Sequence, residues 1–277
     1  MSDTLKIFNE SKNFCEKHKK YFPIYDHLFS SYIDKEITFV EIGISKGGSL
    51  HIWKKFFGPK ARIIGIDINP ECKILEKDGF EVFIGSQSDP DFWIDFFNKV
   101  GKVDIILDDG GHTNYEQITT TTSCVPNIND GGMMVVEDTH TSYMVEFSNP
   151  NKYSFINFSK KIIDDINFTF PGLYYFKYSL NKYIYSIEYF ESFVAFKIDK
   201  SMCTINNQIM NQENAYNKLD YGSSRRRKYV GDIKNNNIFK KVAKKLLLYK
   251  HNISKILKNR STIKKYKKFF GKMELMK

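Results

Sequence analysis

The sequence has no long hydrophobic run, and this absence excludes one class of protein at the outset. No stretch of about 18 consecutive apolar residues occurs, so the chain predicts no membrane-spanning helix. The first residues, MSDTLKIFNESKNF, are polar and of mixed charge, and they lack the apolar core of a signal peptide. We therefore expect a cytoplasmic protein.

Cysteine is scarce, and its spacing matches no metal-binding pattern. The chain of 277 residues holds four cysteines that are far apart in sequence, with no C-x-x-C pair and no Cys/His metal spacing. This pattern argues against a disulfide framework and a zinc site, so we expect reduced thiols in packing roles. They are Cys15, Cys72, Cys124 and Cys203.

The G-x-G-x-x-G fingerprint of dinucleotide-binding folds is also missing. The nearest stretch is EIGISKGGS (41–49), in which Ser45 takes the place of the middle glycine. Gly43 still permits a sharp turn and a close approach of a ligand to the backbone. Gly47 and Gly48 would begin a helix whose first amides attract an anion. Because a pyrophosphate usually needs the tighter fingerprint, an NAD-dependent dehydrogenase is disfavoured.

Charge is unevenly divided along the chain. Residues 201–277 contain 20 Lys and Arg and 4 Asp and Glu, a net charge of +16, which leaves 22 basic and 28 acidic residues and a net charge of −6 in residues 1–200. This difference separates a basic, largely helical extension (201–277) from the preceding residues. In those residues we distinguish an N-terminal helical cap (1–36) and a main domain (37–200).

Between residues 37 and 139, apolar strand-like segments alternate with amphipathic helical ones. The predicted strands are 37–43, 62–68, 80–85, 103–109 and 131–139, and the predicted helices are 47–57, 70–79, 89–101 and 115–128. Such alternation implies a parallel sheet with helices on both faces. After a helical 153–167, residues 183–192 and 193–199 read as two adjacent strands. We predict that the main domain is Rossmann-like, an α/β fold with a seven-stranded, mostly parallel sheet and an antiparallel closing pair. In the cap, Pro23 is expected to break the helical pattern of residues 3–34.

Four of the five parallel strands end in carboxylates. They are Glu41, Asp67, the pair Asp108–Asp109 and the pair Glu137–Asp138. Ligands of open α/β sheets bind at the carboxyl ends of the strands. Acidic groups that converge there repel each other unless cations or hydrogen-bond donors are bound. The sequence therefore predicts a ligand-binding site at this edge of the sheet.

The residue types at these strand ends suggest particular chemistry. Asp67 could accept hydrogen bonds from both hydroxyls of a ribose. The polar run GSQSD (85–89) could contact an adenine edge or could equally be a helix cap. Asp109 and Asp138, from neighbouring strands, could share a hard divalent cation such as Mg²⁺. His112 follows a Gly-Gly turn beside them and would suit a general base.

These segments resemble the class I S-adenosylmethionine-dependent methyltransferases. The chain is similar in particular to metal-dependent sugar O-methyltransferases that act on macrolide deoxysugars or in bacterial polysaccharide pathways. The resemblance spans roughly residues 18–143. It is carried by HKKYFPIYDHLF, FVEIGISKGGSLHIWKKFF, IIGIDI, GSQSD, DIILDDGGH and GGMMVVEDTHTSY, of which DDGGH with VVEDTHTSY is the most specific pair.

The resemblance implies two cofactors, S-adenosylmethionine and Mg²⁺. The implied cofactor residues are Glu41, Gly43 and Ser49 at the methionine part, Asp67 at the ribose, Ser86 and Gln87 near adenine, and Asp108 beside them.

The resemblance also implies metal and catalytic residues. Asp109 and Asp138 match the metal carboxylates, His112 matches the catalytic base, and Glu137 is a further candidate ligand. Because Ser45 replaces the glycine that is usual at this position, the sequence does not predict the path of the loop that follows the first predicted strand.

The basic tail, residues 238–273, has apolar residues at helical spacing with lysines between them. Such a helix could pack on this chain or on a partner subunit of a homo-oligomer. Alternatively, it could attach to an anionic membrane surface at the inner face of the membrane. Nucleic acid is disfavoured because the main domain is acidic and SSRRRK is the only arginine cluster.

The leading hypothesis is Mg²⁺-assisted O-methylation of a sugar hydroxyl in capsule, lipopolysaccharide or nucleotide-sugar biosynthesis, with His112 as base. The alternatives are a methyltransferase for a phosphate or phosphoramidate surface group and a non-catalytic RNA-binding Rossmann protein.

Overall fold

The computed structural model of the chain describes residues 3–147, 153–168, 180–204 and 209. These residues contain seven strands and six α-helices. The strands are β1 (Thr38–Ile42), β2 (Arg62–Asp67), β3 (Glu81–Ile84), β4 (Val103–Asp108), β5 (Ile128–Val136), β6 (Ile184–Phe190) and β7 (Phe193–Ile198). The helices are α1 (Asp3–Glu10), α2 (Tyr21–Phe29), α3 (Gly48–Phe57), α4 (Pro90–Val100), α5 (Asn114–Cys124) and α6 (Phe155–Phe168).

All seven strands form one sheet in the order β3-β2-β1-β4-β5-β7-β6. The first five strands run parallel to one another, and β7 pairs antiparallel with both β5 and β6. The predicted fold class is therefore confirmed, including the closing pair. The strand order reverses its direction at β1, so β1 and β4 form the switch point where open α/β sheets bind ligands.

Helices cover both faces of the sheet because successive strand residues point to opposite sides. In β1, Phe39 packs with Phe29 and Trp53 in one apolar cluster, whereas Val40 packs with Trp93 in the other. Both β1 residues are fully buried. The fold thus needs apolar residues on both faces of its central strands, which is why these strands read as continuous hydrophobic runs.

Two predicted helical features differ in the structure. Pro23 does not break a helix; it lies in the first turn of α2, where its missing N–H has no intrahelical partner to lose. The break falls earlier, in the irregular residues 11–20 between α1 and α2. The predicted helix at 70–79 is a 3₁₀ helix, Pro70–Asp78, which Asn69 caps by accepting from the Glu71 N–H.

Apart from Ile209, the described residues belong to one unit, Met1–Asn207. Most of the predicted basic extension, including its amphipathic segment at 238–273, lies outside the described residues. Within the described ranges, no helix combines the length and the apolar character needed to cross a membrane.

Candidate active site

A cavity of about 300 Å³ lies at the carboxyl ends of β1, β2, β3 and β4. We call it the cofactor cavity. Of the residues that the resemblance assigned to S-adenosylmethionine, Gly43, Asp67, Ser86 and Gln87 line this cavity. Asp109, which was assigned to the metal, lines it as well. The convergence of the strand ends, inferred from the sequence, is therefore observed.

Gly43 allows two loops to approach each other closely at the floor of this cavity. Its φ is +84°, and a Cβ atom added here would lie 2.1 Å from the carbonyl oxygen of Asp109. Both the conformation and the contact exclude a side chain, since the opposing atom is backbone and cannot rotate away. The loop after β1, which we call the first loop, can therefore approach the loop that carries Asp109 only because residue 43 is a glycine.

Ser45 keeps the first loop on a path that a glycine would take more easily. Its φ is +46°, in the left-handed region. Its backbone N–H donates to Asp67 Oδ2 at 3.0 Å, and its carbonyl oxygen accepts from Cys72 Sγ at 3.2 Å. The departure from the glycine pattern therefore leaves strain at one residue, and neighbouring side chains hold that residue in place.

Substituting Ser45 with glycine should stabilise the fold. Glycine removes the steric cost of the left-handed conformation, although it also gains freedom in the unfolded chain, so the free energy of unfolding should rise by up to about 1 kcal/mol. Urea unfolding measures this change. Ser45→Ala, which keeps the Cβ atom, should show no gain. An equal gain in both variants would mean that the left-handed conformation carries no strain.

Asp67 presents its carboxylate to the cofactor cavity from the end of β2. Oδ2 accepts from the Ser45 N–H at 3.0 Å and Oδ1 accepts from the Asn69 N–H at 2.9 Å. These two bonds fix the orientation of the carboxylate, and carboxylate oxygens have further lone pairs that can accept hydroxyl protons. The geometry is compatible with ribose binding.

Gln87 and Asp108 form a buried connection beneath the cavity. The Gln87 amide donates from Nε2 to Asp108 Oδ1 at 2.9 Å, and its Oε1 accepts from the Gly111 N–H at 2.7 Å. Asp108 is 1% exposed and is not among the residues that line the cavity. Burial raises the pKa of the Asp108 carboxyl to about 7. Both side chains therefore hold the loops together, and Gln87 in addition lines the cofactor cavity. Their assignment to cofactor contacts stays a prediction.

Asp109, His112 and Asp138 form the cluster that we call the acidic triad. One side-chain ligand atom from each lies within 4.8 Å of the others. His112 Nε2 is 3.5 Å from Asp138 Oδ2 and 4.0 Å from Asp109 Oδ1. Each side chain is about one-fifth exposed, so the triad faces solvent but is largely enclosed. The structure thus brings together the three residues that the sequence assigned to metal binding and proton transfer.

The backbone orients two members of the triad. His112 and Asp138 have φ angles of +60° and +55°, which are uncommon for residues other than glycine. Immediately after His112, Thr113 caps α5 in a reciprocal pair with Glu116. Such local strain persists only when the surrounding structure determines it, and it is frequent at functional sites.

Two residues near the N-terminus, Lys17 and Tyr25, donate hydrogen bonds to carboxylates of this site. Lys17 Nζ donates to Glu137 Oε1 at 2.7 Å and also to Asp109 Oδ2. The hydroxyl of Tyr25 donates to Glu137 Oε2 at 2.7 Å. Both Glu137 oxygens are thus occupied by these donors, and Glu137 is 1% exposed, outside the acidic triad. The prediction that Glu137 also binds the metal has no support from this arrangement.

Burial and neighbouring charges shift the pKa values of Glu137 and Lys17. Burial raises the pKa of Glu137 well above its usual range. Burial by itself would lower the pKa of Lys17, but the charges of Glu137 and Asp109 outweigh that effect and raise it, so Lys17 is an ammonium. Glu41 lies 4.0 Å from Lys17 Nζ and accepts from the Ser49 hydroxyl at 2.6 Å.

Glu41 and Ser49, which the resemblance assigned to the methionine part of the cofactor, lie in the protein interior. Both are buried, and neither is among the residues that line the cofactor cavity. Burial raises the pKa of Glu41 to about 7. Their hydrogen bond ties β1 to the first turn of α3 and so supports the loop that carries Gly43.

A second cavity, of about 820 Å³, opens beside Asp138. We call it the acceptor cavity. Two of its lining residues contact Asp138: the Tyr21 hydroxyl donates to Oδ1, and His140 Nδ1 lies 3.8 Å from the same atom. The acidic triad therefore lies between two cavities, with Asp109 at the cofactor cavity and Asp138 beside the acceptor cavity. Tyr21 and Tyr25 lie in HKKYFPIYDHLF, one of the segments that carry the resemblance, and Lys17 lies just before it. No residue pattern predicted that these side chains contact the carboxylates.

The fold is that of a class I S-adenosylmethionine-dependent methyltransferase. A methyltransferase of the mycinamycin biosynthetic pathway, MycE, solved in complex with Mg, SAH and mycinamycin VI, superposes with a TM-score of 0.64 at 25% identity, over 76% of this chain and 57% of that one. No family model matches the sequence.

Curated relatives are sugar O-methyltransferases of antibiotic pathways. A rhamnosyl tetracenomycin-C 2′-O-methyltransferase of Streptomyces olivaceus is 31% identical over 157 residues, 53% of this chain and 41% of the relative. Demethylmacrocin O-methyltransferase of Streptomyces fradiae is 32% identical over 156 residues, 52% of this chain and 39% of the relative. The chain thus spans about two-fifths of the length of these two relatives. The resemblance stated from the sequence is confirmed.

Proposed function

We propose that this chain is an S-adenosylmethionine-dependent, Mg²⁺-assisted O-methyltransferase that acts on a sugar hydroxyl. The observation that carries the proposal is the position of the acidic triad between the cofactor cavity and the acceptor cavity. A transferase needs its donor and its acceptor on either side of the reacting atoms. The relatives support the sugar as acceptor, since their names describe methylation of glycosides.

The cofactor cavity fits S-adenosylmethionine in its chemistry. The first loop approaches without a side chain at Gly43, and the Asp67 carboxylate faces the cavity in a fixed orientation. Bound there, S-adenosylmethionine would supply a methyl group already activated by its sulfonium. MycE, which has the same fold, was solved with SAH.

The acidic triad fits a divalent cation. The ammonium of Lys17 contacts Asp109 and Glu137 and lies 4.0 Å from Glu41, whereas Asp138 accepts from the hydroxyl of Tyr21. A cation beside Asp109 and Asp138 would therefore meet carboxylate oxygens that this single ammonium does not balance. Magnesium prefers oxygen ligands and keeps several coordination positions for water or substrate. Asp109 and Asp138 would hold it. When bound, the cation would lower the pKa of a coordinated hydroxyl.

His112 is the residue that we assign to proton removal. Because magnesium favours carboxylate oxygens over imidazole, the two aspartates suffice as protein ligands and leave the His112 ring to accept the proton of the acceptor hydroxyl. Asp138 holds the ring from 3.5 Å, and Tyr21 in turn holds Asp138.

The biological setting that we propose is the synthesis of a bacterial surface polysaccharide or of its nucleotide-sugar precursor, in the cytoplasm. The named acceptors of the relatives are antibiotic glycosides, so they support the sugar but not this setting. The sugar that the purified protein methylates will therefore decide whether this biological setting or an antibiotic pathway applies.

The direct test is methyl transfer from labelled S-adenosylmethionine to a panel of free sugars, sugar phosphates and nucleotide sugars. We expect label in at least one sugar with Mg²⁺ present and a fall of at least tenfold with excess EDTA, because the cation both positions the hydroxyl and acidifies it. Calorimetric binding of SAH, measured in parallel, reports the cofactor cavity without any acceptor. Failure to bind SAH would contradict the proposal, as would transfer that EDTA leaves unchanged.

A further inference from the structure

We propose that the sugar acceptor carries a phosphate group, which Lys19 and Lys160 bind in the acceptor cavity. This inference rests on the proposed function and specifies its substrate class. The two lysines come from different parts of the chain: Lys19 from the stretch before α2, and Lys160 from α6. Their meeting at one cavity is therefore a product of the fold.

The lining of the acceptor cavity is basic although the domain is acidic. Three lysines and two histidines line it, against a single glutamate, Glu191, while residues 1–200 as a whole carry a net charge of −6. Glu191 pairs with Lys20 at 2.7 Å. Lys19 and Lys160 form no ion pair with any of the described residues, so their charges are available to an anion.

Acidic and basic groups lie at different places around the acceptor cavity, and this distribution would orient an anionic sugar. Asp138 lies at one side of the cavity, in contact with the lining residues Tyr21 and His140. An acceptor with a phosphate at one end and free hydroxyls at the other would place the phosphate at the lysines. The carboxylates would repel the phosphate, so the hydroxyl end would meet the acidic triad. A neutral sugar would use neither feature.

Aromatic side chains supply the apolar part of this cavity. Tyr143 is 59% exposed and Tyr189 is 40% exposed, and both line it together with Phe190. Large exposed aromatic rings offer faces on which a sugar ring or a nucleobase can stack. The phosphate could thus belong to a sugar 1-phosphate or to a nucleoside diphosphate sugar, which share the same anionic group.

The test is binding of phosphate probes to the full-length protein, measured by calorimetry in the presence of SAH and without Mg²⁺, so that no metal bridges the phosphate. The probes are inorganic pyrophosphate, glucose 1-phosphate, UDP and the uncharged methyl glucoside. We expect pyrophosphate and UDP to bind, and the double variant Lys19→Gln/Lys160→Gln to weaken both by about tenfold or more, since it removes two charge-assisted contacts. Tighter binding of UDP than of pyrophosphate would indicate a nucleotide-linked acceptor, and equal binding would indicate a sugar phosphate.

The matched control is Lys77→Gln/Lys102→Gln, which removes the same charge from exposed lysines outside the cavity. Its affinity for pyrophosphate should equal that of the unmodified protein. The inference is overturned if pyrophosphate and UDP do not bind, or if both double variants weaken binding equally. Methylation of an uncharged glycoside without phosphate binding would leave the proposed function standing and remove only this inference. Phosphate binding without methyl transfer to any sugar would contradict the proposed function, and only an anion-binding site at Lys19 and Lys160 would remain.

Discussion

Replacing His112 with alanine should lower the rate of methyl transfer by a factor of about 10² to 10⁴, the range for loss of a general base. The affinity for Mg²⁺ should stay nearly unchanged, because Asp109 and Asp138 supply the oxygen ligands that magnesium prefers. Measuring both the rate and the metal affinity distinguishes a general base from a metal ligand. The distinction is needed because His112 Nε2 is close enough to both carboxylates to be a metal ligand itself. Methyl transfer is measured at saturating cofactor, and metal affinity by titration with Mn²⁺ as a spectroscopic probe.

Two controls make this result interpretable. Asp138→Asn should lose Mn²⁺ affinity together with activity, because it removes an anionic ligand of the triad. His51→Ala is a matched histidine change, since His51 Nε2 lies 3.6 Å from Asp78 Oδ2 and its side chain is 30% exposed, away from both cavities. It should keep full activity. If His112→Ala weakens Mn²⁺ binding as much as Asp138→Asn does, His112 is a ligand, and another group must remove the proton.

The edge of the sheet at which the site lies could be predicted because parallel strands share a direction. Carboxylates that follow β1, β2, β4 and β5 in sequence must meet at one edge whatever the details of packing. The parallel direction of the first five strands followed from the alternation of helices and strands, and the closing pair followed from two strand-like segments that adjoin each other in sequence. These parts of the prediction depend on repeated patterns, which tolerate errors at single residues.

The sequence assigned Asp109 and Asp138 to the metal, but it could not predict that the other member of each acidic pair is buried and held by neighbouring side chains. Asp109 and Asp138 reach the triad, while their neighbours Asp108 and Glu137 are turned into the protein and held by Gln87, Lys17 and Tyr25. Adjacent residues at a strand end point in different directions, and the left-handed backbone at Asp138 adds a local turn that no periodicity reveals.

Lys17 was beyond prediction for a different reason. It lies in the irregular stretch between α1 and α2, and its partners Asp109 and Glu137 are 92 and 120 residues away in sequence. No spacing rule connects such positions. Its side chain is nevertheless 6% exposed, so the fold buries an ammonium to compensate carboxylates that are themselves buried.

Substituting Lys17 with methionine should therefore destabilise the protein by about 3–5 kcal/mol, the cost of leaving a buried charge without its partner. The hydroxyl of Tyr25 still donates to Glu137, but it supplies no positive charge. The free energy of unfolding is measured in urea with and without Mg²⁺. Because the ammonium of Lys17 also contacts Asp109, its removal should make stability depend more strongly on Mg²⁺ than in the unmodified protein.

Lys20→Met is the matched control, since it makes the same change three residues away. Lys20 also lies 2.7 Å from a carboxylate, that of Glu191, but the two side chains are 75% and 71% exposed. Exposed pairs contribute about 0–1 kcal/mol, so this variant should unfold almost as the unmodified protein does. The double variant Lys17→Met/Glu137→Gln should regain part of the lost stability, because it removes the buried charge that Lys17 no longer compensates. If Lys17→Met loses no more stability than Lys20→Met, the buried ammonium does not hold the carboxylates of this site in place.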